Sequence, residues 1–449
     1  SGRRFSRRSF VGGLGAGAAA FTIVPRHVLG GPGAKAPSDK INIAGIGVGG
    51  QGGGDIRAVG SENIVALCDV DDRRAGGTYK QFPNAKRYRD FRKMLDGMDK
   101  QIDAVVVGTP DHTHAVACLA ALSRHKHVFC EKPLAHSIGE VRRVRKAARD
   151  AKVVTQLGNQ GHSSGRIRSL CEWVWDGAIG KVAEVHAACD AFGGKYSAVG
   201  ELDRLKEKHE VPKELDWDLW LGPAHKRPYN PMYVPTWWRA WLPFGTGRIG
   251  DWICHVVDPA FWALDLGAPS TIQAEVTGYD PKKHALVYPP GVKVTYEFAA
   301  KGKRGAVALY WYDGTWKMPH PKHLEEKRKV PGTGAVLVGE KGAIMHGSHG
   351  AGGARIIPDE AMRDYTQPKE TIPRVKGHHW DFLDAIRNGR PAGSHFDYGG
   401  PLTELALLGV IAIKFPGLKL QWDAEKTQFP NCPEANQYID PPYRDGWTL

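Results

Sequence analysis

The stretch KINIAGIGVGGQGG, residues 40–53, decides the fold of this chain. Its apolar first half, which runs to Ile46, is typical of a buried β-strand, and the glycines after it permit a tight turn into a helix. The pattern G-x-G-x-x-G fits here in two registers, Gly45/Gly47/Gly50 and Gly47/Gly49/Gly52. We prefer the second, because it leaves a full strand and predicts that the helix begins near Gly53. Such a turn lets a phosphate approach a helix N-terminus closely.

The next predicted strand, residues 63–68, ends in an acidic residue. Asp69 lies 22 residues after Gly47, where a carboxylate can accept hydrogen bonds from ribose hydroxyls and repel a 2′-phosphate. Two further aspartates support that preference and two arginines oppose it: Asp71, Asp72, Arg73 and Arg74. The alternative is that Asp69 only caps the following helix. The sequence therefore predicts an NAD site, with NADP the less favoured cofactor.

Strands and helices alternate through the first third of the chain. Residues 103–107 and 127–130 read as buried strands, with a helix predicted over 115–123 between them. This alternation predicts an α/β fold with a doubly wound parallel sheet, in which ligands bind at the carboxyl ends of the strands. We expect the residues that follow those strand ends to contact the cofactor: Thr109, Pro110, His114, Glu131, Lys132 and Gln160.

The pattern changes after residue 150. Alternating apolar residues at 182–187, 293–298 and 306–311 predict strands of an open, mostly antiparallel sheet. We therefore divide the chain into an N-terminal leader or arm at residues 1–37, a Rossmann domain at 38–158, and an α+β domain at 159–449 for substrate binding and oligomerisation.

One segment of the second domain, residues 247–258, carries an acid and a histidine four residues apart. If the segment is helical from about Asp251, then Asp251 and His255 share a face. A carboxylate beside an imidazole can fix its tautomer and stabilise its protonated form. A purely structural pair is the alternative.

The chain resembles the Gfo/Idh/MocA family, whose members are mainly oxidoreductases of sugars, polyols and glycosides. The resemblance rests on Glu131-Lys132-Pro133 at a strand end, after a strand that closes in Thr109-Pro110-x-x-x-His114. It covers nearly the whole chain after residue 38. It implies that His255 takes the proton of the substrate hydroxyl, that Asp251 orients His255, and that Lys132 hydrogen-bonds the reacting oxygen. It also implies a homodimer or homotetramer.

Tryptophans crowd the region before the acid–histidine segment, and aromatic rings stack on the C–H faces of sugars. Core packing explains about half of such rings. We expect four residues to contact a small carbohydrate substrate: His162, Tyr233, Trp238 and Arg239.

The N-terminus reads as an export signal. Ser6-Arg7-Arg8-Ser9-Phe10-Val11 precedes a weakly apolar stretch and resembles a twin-arginine leader. A basic disordered tail is the alternative. The net charge of +13 is concentrated here, since six basic residues and no acid lie in residues 1–37. We therefore expect no nucleic-acid partner, and no apolar run approaches the ~20 residues of a membrane span.

The scattered histidines and seven cysteines show no metal-ligand spacing, so we predict no metal site and reduced, mostly buried thiols. An exported NAD enzyme cannot exchange its cofactor with the cytoplasm, so the cofactor has to stay bound and be restored in each cycle. A hydride-transferring oxidoreductase is the preferred function. A redox-neutral glycoside hydrolase or epimerase that acts through a keto-sugar is one alternative, and a non-catalytic sugar sensor is another.

Overall fold

The computed structural model describes residues 39–191 and 196–448. The predicted leader at residues 1–37 therefore lies outside the described residues. From Asn42 onward the chain forms one unit, and the few described residues before Asn42 belong to another.

The first sheet is parallel and has the strand order β3-β2-β1-β4-β5-β6. Its strands are short, and β1, β4 and β5 at its centre are almost entirely buried, as expected when helices cover both faces. The order reverses between β1 and β4, which places a crevice at their carboxyl ends. The strands are β1 (Asn42–Ile46), β2 (Asn63–Cys68), β3 (Lys86–Tyr88), β4 (Ala104–Val107), β5 (His127–Cys130) and β6 (Thr155–Leu157).

The helices of this half begin at polar caps. Asp71, Asp90 and Ser137 each accept a backbone N–H of the first turn, and Ser137 completes a capping box with Glu140. The prediction that the first helix begins near Gly53 was wrong by three residues, because Gly50 already starts the helical turn. The helices are α1 (Gly50–Ala58), α2 (Asp72–Gln81), α3 (Phe91–Met98), α4 (His114–Leu122) and α5 (Ile138–Ala151).

The second sheet has the order β13-β12-β11-β7-β10-β9-β8-β14. Every neighbouring pair is antiparallel except β7 with β10, which run parallel. The predicted fold class is thus confirmed for both sheets. The strands are β7 (Val182–Cys189), β8 (Thr271–Thr277), β9 (Gly291–Phe298), β10 (Val307–Asp313), β11 (Thr333–Gly339), β12 (Ala343–Gly347), β13 (Arg355–Ile357) and β14 (Leu420–Gln421).

Helices pack on one face of the second sheet. The long α12 contacts α8, α5 and β8, and therefore joins the two halves of the unit. The helices are α6 (Gly165–Trp175), α7 (Trp217–Leu221), α8 (Gly247–Val256), α9 (Asp258–Ala263), α10 (Asp359–Asp364), α11 (His378–Asn388) and α12 (Phe396–Ala412). Among the described residues, no helix is long and apolar enough to cross a bilayer.

A single large core cluster extends from the parallel sheet through α8 and α12 to the second sheet. A smaller cluster, rich in aromatic residues, gathers α7 and the segment that precedes α8. All seven cysteines are buried and unpaired, as predicted.

Candidate active site

The glycine turn after β1 is packed too closely for side chains. Gly47 has φ +74°, and a Cβ there would lie 2.7 Å from the backbone nitrogen of Thr109. A Cβ on Gly52 would lie 1.9 Å from the carbonyl oxygen of Gly47, and one on Gly108 would lie 2.5 Å from the Cα of Gly52. Three backbone segments thus meet at the end of the parallel sheet. This arrangement has the features of a phosphate cradle at a helix N-terminus.

Asp69 ties the same turn to the end of β2. One carboxylate oxygen accepts the N–H groups of Val48 and Gly49, at 2.8 and 3.1 Å, and the other accepts that of Asp71 at 3.0 Å. Burial raises the pKa of Asp69 to about 6. The cap of α2 is Asp71, so the alternative role of Asp69 as a helix cap was wrong. The carboxylate remains beside the cradle, where ribose hydroxyls can add to its hydrogen bonds.

The two arginines beside Asp69 are placed differently. Arg73 forms a bidentate pair with Asp71, with Nε at 2.9 Å and Nη2 at 2.7 Å from the carboxylate oxygens. The side chain of Arg74 lies against the turn, since a Cβ on Gly49 would be 2.8 Å from its Cβ. The guanidinium of Arg73 is therefore already paired with Asp71 and is not free to bind a 2′-phosphate.

The residues at the ends of β4 and β5 supply polar groups to the crevice. The Thr109 hydroxyl is buried without a hydrogen-bond partner among the described residues, so it is available to a ligand. Gln160 donates to Glu131 at 2.8 Å, and burial raises the pKa of Glu131 well above its usual value. Both ring nitrogens of His114 lie against backbone oxygens, 2.7 Å from Pro133 and 2.8 Å from Thr109. His114 therefore fixes the two loops, and Pro110 follows Thr109 in the same turn.

Helix α8 is held at the crevice by its N-terminal end. Asp111, just after β4, accepts both the backbone N–H of Thr246 at 3.0 Å and its hydroxyl at 2.7 Å. All ten residues of α8 are buried. The helix begins at Gly247, earlier than the predicted start near Asp251. Asp251 and His255 nevertheless lie one turn apart on it, as predicted.

Asp251 is the centre of a charged network between the two halves of the unit. It forms an ion pair with Lys132, accepts the Tyr196 hydroxyl at 2.5 Å, and accepts Arg239 Nε at 3.0 Å. Burial alone would raise the pKa of Asp251, but the two cations lower it far below its usual value. Burial alone would lower the pKa of Lys132, but Asp251 and Glu131 raise it. Both groups therefore stay charged over the ordinary pH range.

His255 is not bound by Asp251, contrary to the predicted orienting role. Its Nδ1 is buried without a hydrogen-bond partner among the described residues. The ring instead stacks on His349, with centroids 4.2 Å apart and planes inclined by 22°. Burial, then the charge of Lys132 and the stacked imidazole, lower the pKa of His255 well below its usual value. Because burial and these two neighbours outweigh the opposite influence of Asp251, the imidazole stays neutral.

The four residues expected to contact substrate are not all brought together: Trp238 and Arg239 are in contact, and the other two lie elsewhere. Arg239 lies in the network of Asp251, and its guanidinium covers the ring of Trp238 at 4.1 Å. Tyr233 packs between the rings of Trp241 and Phe244 in the aromatic cluster. His162 lies in another buried group, with Nδ1 3.1 Å from Asp258 and its ring on Trp262. These geometries put Arg239 in the site and give Tyr233 and His162 packing roles.

Sequence reasoning missed Tyr196 and His349. Tyr196 follows β7 by seven residues, and its hydroxyl also accepts Trp252 Nε1 at 2.9 Å. His349 lies in a tight turn after β12 in which it has φ +54° and the next residue, Gly350, has φ +81°. The cluster His349-Gly350 between two strands signals a turn, but nothing local in the sequence indicates that the turn faces α8. Within the described ranges, no three His, Cys, Asp or Glu residues gather as a metal site.

Two models of one protein family match this chain. Residues 40–159 match the family GFO_IDH_MocA, described as an oxidoreductase family with an NAD-binding Rossmann fold. Residues 165–303 match its C-terminal α/β domain. The two matches together cover more than half of the chain.

Curated relatives match over about one third to one half of the chain. Inositol 2-dehydrogenase of Rubrobacter xylanophilus is 32% identical over 151 residues, which are 32% of this chain and 43% of that protein. Levoglucosan dehydrogenase of Pseudarthrobacter phenanthrenivorans is 24% identical over 217 residues, 48% of this chain and 46% of that protein. The chain thus spans less than half the length of these relatives.

Solved structures share the fold over most of the chain. The aldose-aldose oxidoreductase of Caulobacter crescentus, complexed with glycerol, has a TM-score of 0.56 at 17% identity and covers 85% of this chain and 99% of its own. An inositol dehydrogenase homologue of Azotobacter vinelandii, complexed with NAD+, has a TM-score of 0.56 at 15% identity and covers 85% and 97%. With both halves matched in sequence and fold, the chain belongs to the Gfo/Idh/MocA family of oxidoreductases.

Proposed function

We propose that this protein transfers a hydride between a hydroxyl-bearing carbon of a sugar, polyol or glycoside and a tightly bound NAD. The observation that carries the proposal is the ion pair of Lys132 with Asp251, one helical turn from the neutral imidazole of His255. A buried ammonium and a neutral base at one place are the groups that dehydrogenation of an alcohol needs.

The chain offers a fitting set of groups for NAD. The cradle of Gly47, Gly49 and Gly52 suits the pyrophosphate, Asp69 suits the ribose hydroxyls, and the unpartnered hydroxyl of Thr109 can meet a further polar group. When bound, NAD supplies a nicotinamide carbon that accepts or returns a hydride.

The residues of the chain handle the oxygen and its proton. His255, kept neutral, takes the proton of the reacting hydroxyl as the carbonyl forms. Lys132 donates a hydrogen bond to the same oxygen and stabilises the negative charge that develops on it. Asp251 holds the ammonium of Lys132 in place, aided by Tyr196, and acts on His255 through charge rather than through a hydrogen bond.

Substitution of Lys132 by methionine tests these roles. In the Lys132→Met variant we expect turnover of any accepted polyol to fall at least ~10²-fold, because a buried donor to the reacting oxygen is lost. NAD binding should persist, since Lys132 is not part of the glycine cradle. Initial rates and a NAD titration of the same preparation measure the two properties.

Lys126→Met is the matched control. Lys126 is also a largely buried lysine of the first half, and it pairs with Asp99 at 3.0 Å. Its loss should leave turnover within a few-fold of the wild type. Near-normal turnover in Lys132→Met, or equal losses in both variants, would contradict the assignment.

We further propose export by the twin-arginine route and a homo-oligomeric state. The support for export is the segment Ser6-Arg7-Arg8-Ser9-Phe10-Val11, and the support for oligomers is family membership. Cell fractionation of a chain with Arg7→Lys and Arg8→Lys should show retention in the cytoplasm, and unchanged export would contradict the first proposal. A monomer mass by light scattering would contradict the second.

Export would require the NADH formed to be reoxidised on the enzyme. A second carbonyl substrate could do so, or hydride could return to the keto-sugar after elimination or epimerisation. Analysis of the products formed from a glycoside distinguishes the two schemes. An oxidised product together with a reduced second substrate indicates the first scheme. A product at the same oxidation state as the glycoside indicates the second.

A further inference from the structure

A second cavity lies apart from the network of Lys132 and Asp251. It has a volume of about 320 Å³ between α5, α12 and the C-terminal segment 438–443. That volume falls at the lower end of the range of small-molecule sites, about 300–1,000 Å³. Neither Lys132, Asp251 nor His255 lines it. Its walls are mainly apolar side chains and prolines, including Ile138, Leu242, Leu407, Val410, Ile411 and Pro441.

Most of the polar side chains in these walls are already engaged. Glu140, the acid among the described lining residues, accepts the N–H groups of His136 and Ser137, both at 2.8 Å, and the hydroxyl of Tyr443. The Tyr288 hydroxyl donates to the carbonyl oxygen of Gly245 at 2.8 Å.

Two of the three histidines in the walls, His112 and His136, are engaged as well. His112 has both ring nitrogens against backbone oxygens, at 3.2 Å from Phe244 and 3.0 Å from Trp220. His136 Nε2 lies 3.2 Å from the carbonyl oxygen of Gly245. Few free hydrogen-bonding groups are left, so the cavity is poorly suited to a polyhydroxylated sugar.

Two cations of the wall remain without an acid. Lys414, which follows the end of α12, lies over the ring of Tyr438 at 4.6 Å, and Arg227 lies over the ring of Phe244 at 4.9 Å. Among the residues that the structure describes, neither of these cations forms an ion pair with an acidic side chain. Burial lowers the pKa of Lys414 to about 8, with no neighbouring carboxylate to oppose it. Both side chains are partly buried. A partly buried cation without an acid partner is unfavourable, and a bound anion relieves that cost.

We propose that this cavity binds a small amphipathic carboxylate, whose acid group pairs with Lys414 and Arg227. Its apolar alkyl or aryl body packs against Leu407, Val410 and Ile411. This site is independent of the proposed hydride transfer, because it shares no residue with the network that carries that proposal.

Calorimetric titration of the full chain with octanoate and with phenylacetate tests the proposal, with octan-1-ol as the neutral partner of octanoate. We expect one saturable site for at least one of the acids, and binding of the alcohol at least ten-fold weaker than that of octanoate. Lys414→Met should weaken binding of the acid at least ten-fold. Lys419→Met is the matched control, since Lys419 lies five residues away and pairs with Glu297 at 2.6 Å; it should bind like the wild type.

The variant Lys132→Met distinguishes this cavity from the candidate active site. It should bind the acid with unchanged affinity even if turnover is lost. No saturable binding of either acid, binding of octan-1-ol as tight as that of octanoate, or equal affinity in Lys414→Met would overturn the proposal. Loss of binding in Lys132→Met would do so as well, because it would place the acid at Lys132 in the candidate active site.

Discussion

The cradle after β1 and the network on α8 are built in opposite ways. At the cradle, backbone atoms fill the space that side chains would need. A Cβ added to Gly52, for example, would lie 1.9 Å from the carbonyl oxygen of Gly47. At the network, the side chains of Lys132 and Asp251, which lie 119 positions apart in the sequence, supply the charges. The cradle therefore depends on the absence of side chains, and the network depends on their exact charge. Substitutions should damage the two regions in different ways.

The largest effect is expected at the cradle. In Gly52→Ala the new methyl would overlap the Gly47 carbonyl, so the turn has to shift, and we expect NAD binding to be lost with destabilisation of about 3 kcal/mol or more. Gly54→Ala is the control in the same helix, because its Cβ would meet nothing closer than Arg57 at 3.7 Å. Denaturant unfolding and NAD titration measure both. Equal behaviour of the two variants would contradict the backbone account of the cradle.

Removal of the central charge should affect the network without affecting the cradle. In Asp251→Asn, the ammonium of Lys132 loses its partner, and we expect turnover to fall roughly 10²-fold while NAD affinity is retained. Because Asp251 acts mainly through Lys132, and its charge on His255 is the lesser influence, the double variant with Lys132→Met should be little worse than Lys132→Met alone. Fully additive losses in steady-state rates would show that Asp251 has a separate role.

The cradle should lose NAD affinity in acid. Because burial raises the pKa of Asp69 to about 6, the carboxylate is protonated as pH falls through that value. An uncharged carboxyl accepts ribose hydroxyls less well, so NAD affinity should decline below pH 6, by at most about tenfold per pH unit. Titrations from pH 5 to 8 measure the decline. If the Asp69→Asn variant lost NAD affinity over the same pH range, the decline would have to come from another titrating group.

The smallest expected effect is a shift of the pH profile at the network. Burial, Lys132 and His349 lower the pKa of His255. The imidazole therefore stays neutral, and can accept a proton, at pH values below the range in which a free histidine is neutral. Loss of the stacked ring in His349→Leu should raise that pKa. The acid limb of the kcat/KM profile should then move to higher pH with an unchanged plateau. An unmoved limb would show that the stack has no influence on His255.

The contrast also explains what the sequence could predict. The strand and glycine pattern at 40–53 indicates the parallel sheet because spacing and residue type are local, and the family motifs indicate Lys132, Asp251 and His255. The side chains that contact these three residues depend on long-range packing, which local sequence does not indicate. Tyr196 and His349 come from loops of the second sheet, and Tyr233 and His162, which were expected at the substrate, pack in buried clusters. The sequence around an aromatic residue or a histidine does not indicate which buried cluster that side chain joins.

The most direct test of the central claim is the absorbance spectrum of the purified protein with NAD, before and after addition of inositol, levoglucosan and a panel of aldoses and glycosides. We predict that at least one of them produces the near-ultraviolet band of reduced nicotinamide in the wild type and not in Lys132→Met. No band with any polyol, or an equal band in Lys132→Met, would contradict hydride transfer at the network of Lys132, Asp251 and His255.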